Sequence, residues 1–180
     1  MNPVHIVPLG GCERELAEDL ALPLGSMLGT KATIQDVAFD IERFLDPQRL
    51  QYNSTNLLIA LGSLYRRVNG GTRSKVLAVT GEDLFIPILT YVFGEAQLGG
   101  DFAVVSYHRL QPERYGLAAD RGLLLSRLFK ESLHELGHTY GLVHCRDQEC
   151  VMRTSTYAED IDLKGSAFCR DCRASLGVLS

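Results

Sequence analysis

The chain has 180 residues, 46% hydrophobic and 22% charged, which is enough to bury one substantial core in a single domain. Its formal net charge of −4, with the two signs interspersed, lacks the basic stripe of a nucleic-acid binder. No apolar run approaches the roughly 20 residues that span a bilayer, and the opening MNPVHIVPLGGCERELAED lacks the basic start and long apolar stretch of a secretory signal. The expectation is a cytoplasmic protein with neither a membrane nor a nucleic-acid partner. In that setting five cysteines, an odd number, argue for metal ligands or free thiols over disulfides.

Val4–Leu9 (VHIVPL) reads as a first strand, ended by Gly10-Gly11. Residues 13–28 repeat Leu16, Leu20, Leu24 and Leu28 as a helix packed on a sheet would, with Pro23 predicting a kink or a break. Residues 32–39 (ATIQDVAF) suit a second strand, and residues 48–53 a polar loop opened by Asp46-Pro47. Residues 55–68 carry Leu57, Leu58, Leu61, Leu64, Tyr65 and Val68, the stripe of an amphipathic helix ended by Gly70-Gly71. Lys75–Thr80 (KVLAVT) is a continuous run of the kind found in a central strand buried on both faces.

This β–α–β–α–β order predicts a largely parallel sheet. Tyr91-Val92-Phe93 and residues 102–107 (FAVVSY) are two further strands whose connection is too short for a parallel crossover, so one is antiparallel near a sheet edge. Such an edge can accept an extended peptide as one more strand; an ordinary capped edge fits the segment equally well. Asp120 suits the N-cap of a helix running to about Tyr140. On a helical wheel Leu125, Leu128, Phe129, Leu133 and Leu136 share one side. The opposite side holds His134 and His138 with Arg127, Lys130 and Glu131, and reads as a solvated face beside a cleft. The fold class expected is α/β (α+β): a twisted, mixed, mostly parallel sheet with an antiparallel edge strand and backing helices. Residues 1–141 would form the sheet-and-helix part of the single domain, and residues 142–180 a small C-terminal part.

Residues 134–145, HELGHTYGLVHC, hold three of the five histidines. His134 and His138 are one helical turn apart on one face, with Glu135 rotated from them by about 100°. Gly141 tolerates the left-handed backbone that ends a helix, so the chain can turn and bring back His144. Three neutral imidazoles leave a fourth position open on a divalent ion, the arrangement of a catalytic zinc, and HExxHxxGxxH is a long zinc-protease motif. Three unrelated helix histidines would not need this joint spacing. Cys145-x4-Cys150 and Cys169-x2-Cys172 supply the thiolates of a closed, structural zinc. A metal cross-link would stabilise a tail poor in large apolar residues. Disulfides are one alternative, and a redox CxxC is another that leaves Cys145 and Cys150 unexplained. Cys12 reads as a free thiol. The tail's basic residues are matched by acidic ones, against a zinc-ribbon-like reader of nucleic acid. Met152 alone would be core filler.

The run HExxHxxGxxHC-x4-C-x-M followed by CxxC, from His134 to Cys172, resembles the archaemetzincins, metzincin-clan zinc metallopeptidases with a second, four-cysteine zinc site. The motif covers a minority of the chain, but its joint pattern is specific. The resemblance implies a metzincin-like fold and two zinc ions per chain. His134, His138 and His144 would hold the catalytic ion, and Cys145, Cys150, Cys169 and Cys172 the structural one. Glu135 would be the general base, and Met152 the Met-turn beneath the metal, with Gly141 as structural support. Thr154 stands where some other metzincins carry a tyrosine two residues after the methionine, so a tyrosine at that place is absent; Tyr157 is a weak substitute.

The function expected is zinc-dependent hydrolysis of a peptide or protein substrate, whose natural identity the family leaves undefined. Two rivals stand beside it. One is a catalytically silent two-zinc peptide-binding or scaffold protein, against which Glu135 counts. The other is a three-histidine endoribonuclease, whose counterparts carry glycine in place of Glu135. The sequence carries no signal of oligomeric state and no defensible specificity pocket. Arg127, Lys130, Glu131 and Tyr157 read as solvated helix face and tail loop sooner than as cleft.

Overall fold

The computed structural model describes residues 1–68 and 74–177. In chain order its strands and helices are β1 (Val4–Leu9), α1 (Arg14–Leu28), β2 (Ala32–Ile34), β3 (Leu45–Asp46), β4 (Gln51–Asn53), α2 (Ser54–Val68), β5 (Lys75–Thr80), β6 (Leu84–Phe85), β7 (Gly94–Ala96), β8 (Phe102–Ser106), α3 (Arg121–Thr139), α4 (Ala158–Leu163) and α5 (Arg170–Ser175). The main sheet has the order β2-β1-β5-β8-β7. Its first four strands are parallel, and β7 runs antiparallel to β8 at the edge. A small second sheet, β3-β4-β6, was not expected.

Strands β1, β5 and β8 are apolar at consecutive positions, so both faces of the sheet need cover. Val4, Ile6, Leu77, Val79 and Val105 pack with α1 and α3 on one side. Val7, Val76, Ala78, Phe102 and Val104 pack with Leu57, Leu58 and Leu61 of α2 on the other. Among the described residues no helix is long and apolar enough to cross a membrane.

Several local readings are corrected. α1 runs unbroken through Pro23, because Pro23 and Asp19, whose carbonyl loses its partner, both lie on the exposed face. β2 stops at Ile34, since Val37 and Phe39 leave the edge to pack in the α2-side core. Residues 51–53 are not loop: Tyr52 is buried and pairs with both Leu45 and Leu84. The edge strand is Gly94–Ala96 rather than Tyr91-Val92-Phe93, because apolar pattern marks what faces the core while backbone pairing decides the strand. Gly70-Gly71, expected to end α2, lie outside the described residues.

Two charged groups explain how α3 is set. Lys75, inside the supposedly apolar run, is buried with its Nζ donating to Thr139 O (2.9 Å) and Gly100 O (2.6 Å), a cation at the C-terminal end of α3. Asp120 caps the other end, accepting from Leu123 N–H at 2.9 Å.

The face holding Arg127, Lys130 and Glu131 is not solvated. Residues 151–164 cover it, so each group needs a partner. Arg127 forks onto Asp162 (2.8 and 2.6 Å) and donates to Leu110 O (2.9 Å). Lys130 Nζ donates to Ile161 O (2.8 Å) and Asp162 O (3.2 Å). Lys164, fully buried, places Nζ 2.7 Å from Glu131 Oε1 as an ion pair. Replacing Arg127 by Met should therefore lower stability by about 2 kcal/mol, since Asp162 stays partly solvated; denaturant unfolding of the two proteins measures it.

Candidate metal centres and active-site cleft

Helix α3 ends where the first centre begins. Gly141, at φ +91°, follows the last helical turn. Its N–H bonds His138 O (2.9 Å) while Leu142 N–H bonds Gly137 O (3.1 Å), the paired closure of a Schellman motif. A side chain at Gly141 would oppose that backbone. The turn brings His144 back over the helix, and the three rings lie with centroids 4.7, 5.3 and 5.0 Å apart.

The rings are also oriented. His134 Nδ1 faces Val151 O at 2.9 Å and His138 Nδ1 faces Leu142 O at 2.7 Å, which assigns the protons to Nδ1 and leaves both Nε2 atoms as bare acceptors. Those two Nε2 atoms are 3.0 Å apart. Ligands at about 2.0–2.1 Å in a tetrahedron lie roughly 3.3 Å from one another, so the histidines fit zinc. Burial, with the cationic Lys164 next, holds His134 well below the ordinary imidazole value and keeps it neutral, as a ligand must be.

The four cysteines make the second group. Cys145 Sγ and Cys169 Sγ are 3.8 Å apart, and Cys150 Sγ and Cys172 Sγ 3.7 Å. A disulfide needs about 2.05 Å, and all five cysteines are free. Four thiolates at about 2.3 Å from one zinc stand about 3.8 Å apart, so this group fits the metal too. Cys169 N–H also points at Cys150 Sγ (3.3 Å), a donor that supports thiolate charge. Cys12 lies outside both groups.

Glu135 is buried between two clefts that meet at the histidines, one of about 500 Å³ and one of about 400 Å³. Burial pushes its carboxyl well above the usual range, with Glu131 and Glu95 adding to the effect and Lys164 opposing it. Of the residues read as solvated surface, Glu131 and Tyr157 line the larger cleft, whereas Arg127 and Lys130 are structural. Met152 is buried directly under the helix, where a Cβ on Gly137 would meet its Sδ at 2.5 Å. A Cβ on Gly94 would meet Glu135 Cγ at 2.6 Å. Gly137, Gly94 and Lys164 all escaped the sequence reading. Gly137 did leave a signal, since a glycine inside a helix costs about 1 kcal/mol relative to alanine and implies a close neighbour.

Residues 17–177 match peptidase family M54. The chain belongs to that family. It is similar to the archaemetzincin of Archaeoglobus fulgidus, 41% identical over 96% of this chain and 98% of the relative. It is also similar to that of Methanocaldococcus jannaschii, 35% identical over 96% and 92%. Among solved structures it resembles a zinc-dependent peptidase from Methanocorpusculum labreanum, with a TM-score of 0.87 and 32% identity over 96% of this chain and 99% of the other. The archaemetzincin resemblance and the mixed α/β fold class expected from the sequence are both borne out.

As an M54 member the protein is a zinc metallopeptidase acting on peptide or protein substrates. That family membership leaves no support for the endoribonuclease reading. In this M54 member the space between Gly137 and Met152 admits no extra atom, so Gly137→Ala should cost about 1–3 kcal/mol through overpacking. Thermal unfolding of the variant beside the parent protein reads that loss directly.

Proposed function

We propose that the chain binds two zinc ions, one through His134, His138 and His144 and one through Cys145, Cys150, Cys169 and Cys172. The observation that carries this reading is the convergence of both donor sets at metal-ligand separations, the histidines beside buried Glu135. A zinc ion held by His134, His138 and His144 would supply the Lewis acidity that activates a water and polarises a carbonyl oxygen.

Glu135 takes the proton of the attacking water and returns it to the leaving nitrogen. Its side chain is held against the backbone of Gly94. Met152 and Gly141 shape the floor and the turn that keep the three imidazoles together. The substrate lies along the free side of β7, which among the described residues pairs only with β8. Glu95 of that strand accepts hydrogen bonds from Ser54 and Thr55 at the start of α2, so the edge is firmly positioned for an added strand.

Residues 1–141 and 142–180 act as two parts of one domain. Val151, Met152, Ile161 and Phe168 from the second part support this, since they join the same core as α1 and α3. Five free thiols fit a reducing compartment, and the cytoplasm is the proposed location.

Glu135→Gln should retain zinc by metal analysis and lose at least about 100-fold in peptide turnover; undiminished turnover would remove Glu135 from the mechanism. The double change Cys169→Ser with Cys172→Ser should release one zinc per chain and also weaken retention of the other, because Val151 O, which orients His134, sits next to Cys150. An unchanged metal count would defeat the four-cysteine assignment.

A further inference from the structure

The larger cleft has walls from segments far apart in sequence, residues 89–94 and 154–157, above a floor that includes Glu131, His134 and Glu135. The first wall is pinned from behind. Arg49 Nη2 donates to Leu89 O (2.9 Å) and Thr90 O (3.0 Å), and Gln51 Nε2 donates to Thr90 O (3.0 Å). Arg109, forked onto buried Asp83 through Nε and Nη2 at 2.6 Å each, lies 4.1 Å over the Tyr91 ring. On the second wall, Thr156 N–H and Tyr157 N–H donate to Asp160 Oδ2 (2.9 and 3.0 Å). The α4 helix that carries Asp160 is fastened to α3 through Arg127 and Lys130.

Among the described residues one hydrogen bond joins the two walls: Tyr91 Oη donates to Thr156 O at 2.9 Å. It is solvent-exposed, whereas Glu131, His134 and Glu135 on the floor are buried, so it ties the rims and not the base. A peptide lying in this cleft must end before the bridge or pass beneath it. The smaller cleft on the other side of the histidines is different. No side-chain hydrogen bond crosses it among the described residues, and Leu98 and Val143 stand exposed on either bank.

We propose that Tyr91, through its bond to Thr156 O, is a specificity-determining residue that closes one end of the substrate cleft. The enzyme then accepts long chain on the open side of the scissile bond and only a short stretch on the bridged side. Cleavage is accordingly trimming near a chain end rather than cutting in the middle of a long substrate. The acceptor is a backbone carbonyl, so Tyr91 is the partner that substitution can remove. Tyr91→Phe deletes the donor while keeping the ring under Arg109 and edge-on to Phe93, whose centroid is 5.5 Å away. This inference rests on the peptidase reading of the same site.

The test uses the zinc-loaded protein and peptides lengthened one residue at a time on either side of a bond that a mixed peptide library shows to be cut. The wild type should lose kcat/KM beyond a set length on one side only. Tyr91→Phe should raise the ratio of long-peptide to short-peptide kcat/KM on that side by about five- to tenfold, the worth of one hydrogen bond. Equal length profiles in the two proteins, or a wild type indifferent to length, would overturn the proposal. Fluorescence anisotropy of the same peptides on zinc-loaded Glu135→Gln, with and without Tyr91→Phe, reads the length limit as affinity. A length limit in binding that Tyr91→Phe relieves, with no wild-type turnover, supports the bridge and counts against the peptidase role of the site. Binding without any length limit counts against the bridge alone.

Discussion

Burial of α3 on both faces is the constraint from which the rest of the site follows. Its apolar side, with Leu128, Leu133 and Leu136, closes the core over the sheet as any amphipathic helix would. Its other side carries Arg127, Lys130, Glu131, His134 and Glu135, and charges there are tolerated only if each meets a partner. Residues 151–164 supply two backbone carbonyls under Lys130, a carboxylate under Arg127, which also bonds Leu110 O, and an ammonium beside Glu131. The C-terminal part is thereby fixed against the helix that holds two of the histidines.

The same contact joins the histidine and cysteine groups. His144 and Cys145 are adjacent residues belonging to different donor groups. Cys145 N–H bonds Met152 O, and Val151 N–H bonds Ala167 O, so the segment carrying Cys150 and Met152 is held on both sides. Val151 O then turns the His134 ring so that its Nε2 faces the other histidines. The four-cysteine group is thus linked to the imidazole group through residues 150–152 of the backbone. A metal held by the four cysteines would therefore orient His134 as well as stabilise the tail.

The cleft draws on parts of the chain that share no local pattern. Its floor is α3 and its edge is β7. One wall is held by Arg49, Gln51 and Arg109, from the small sheet and the segment after β8, and the other by the cap of α4. Gly94 shows how tightly these parts fit, since its missing side chain is the room into which Glu135 packs. Tyr91 then spans the walls, so the dimensions of the cleft depend on contacts between residues more than 60 positions apart.

The gathering of the three histidines and of the four cysteines was legible in the sequence because a helix converts spacing into geometry without help. Residues four apart share a face, a glycine ends the turn, and paired cysteines sit close whatever surrounds them. The central strand β5 was legible for a similar reason, as a run of apolar residues needing cover on both sides. What the sequence left open was decided by partners distant in the chain. Lys75 is buried because the end of α3 meets it, and the edge strand falls on Gly94–Ala96 because those backbone groups, and not the apolar Tyr91-Val92-Phe93, align with β8. Arg127, Lys130 and Glu131 looked solvated because a helical wheel carries no information about what covers it. Sequence alone determined which side chains can gather around a metal. Tertiary structure decided how they are oriented, what shields them and where a substrate must stop, since each of those depends on contacts between segments far apart in the chain.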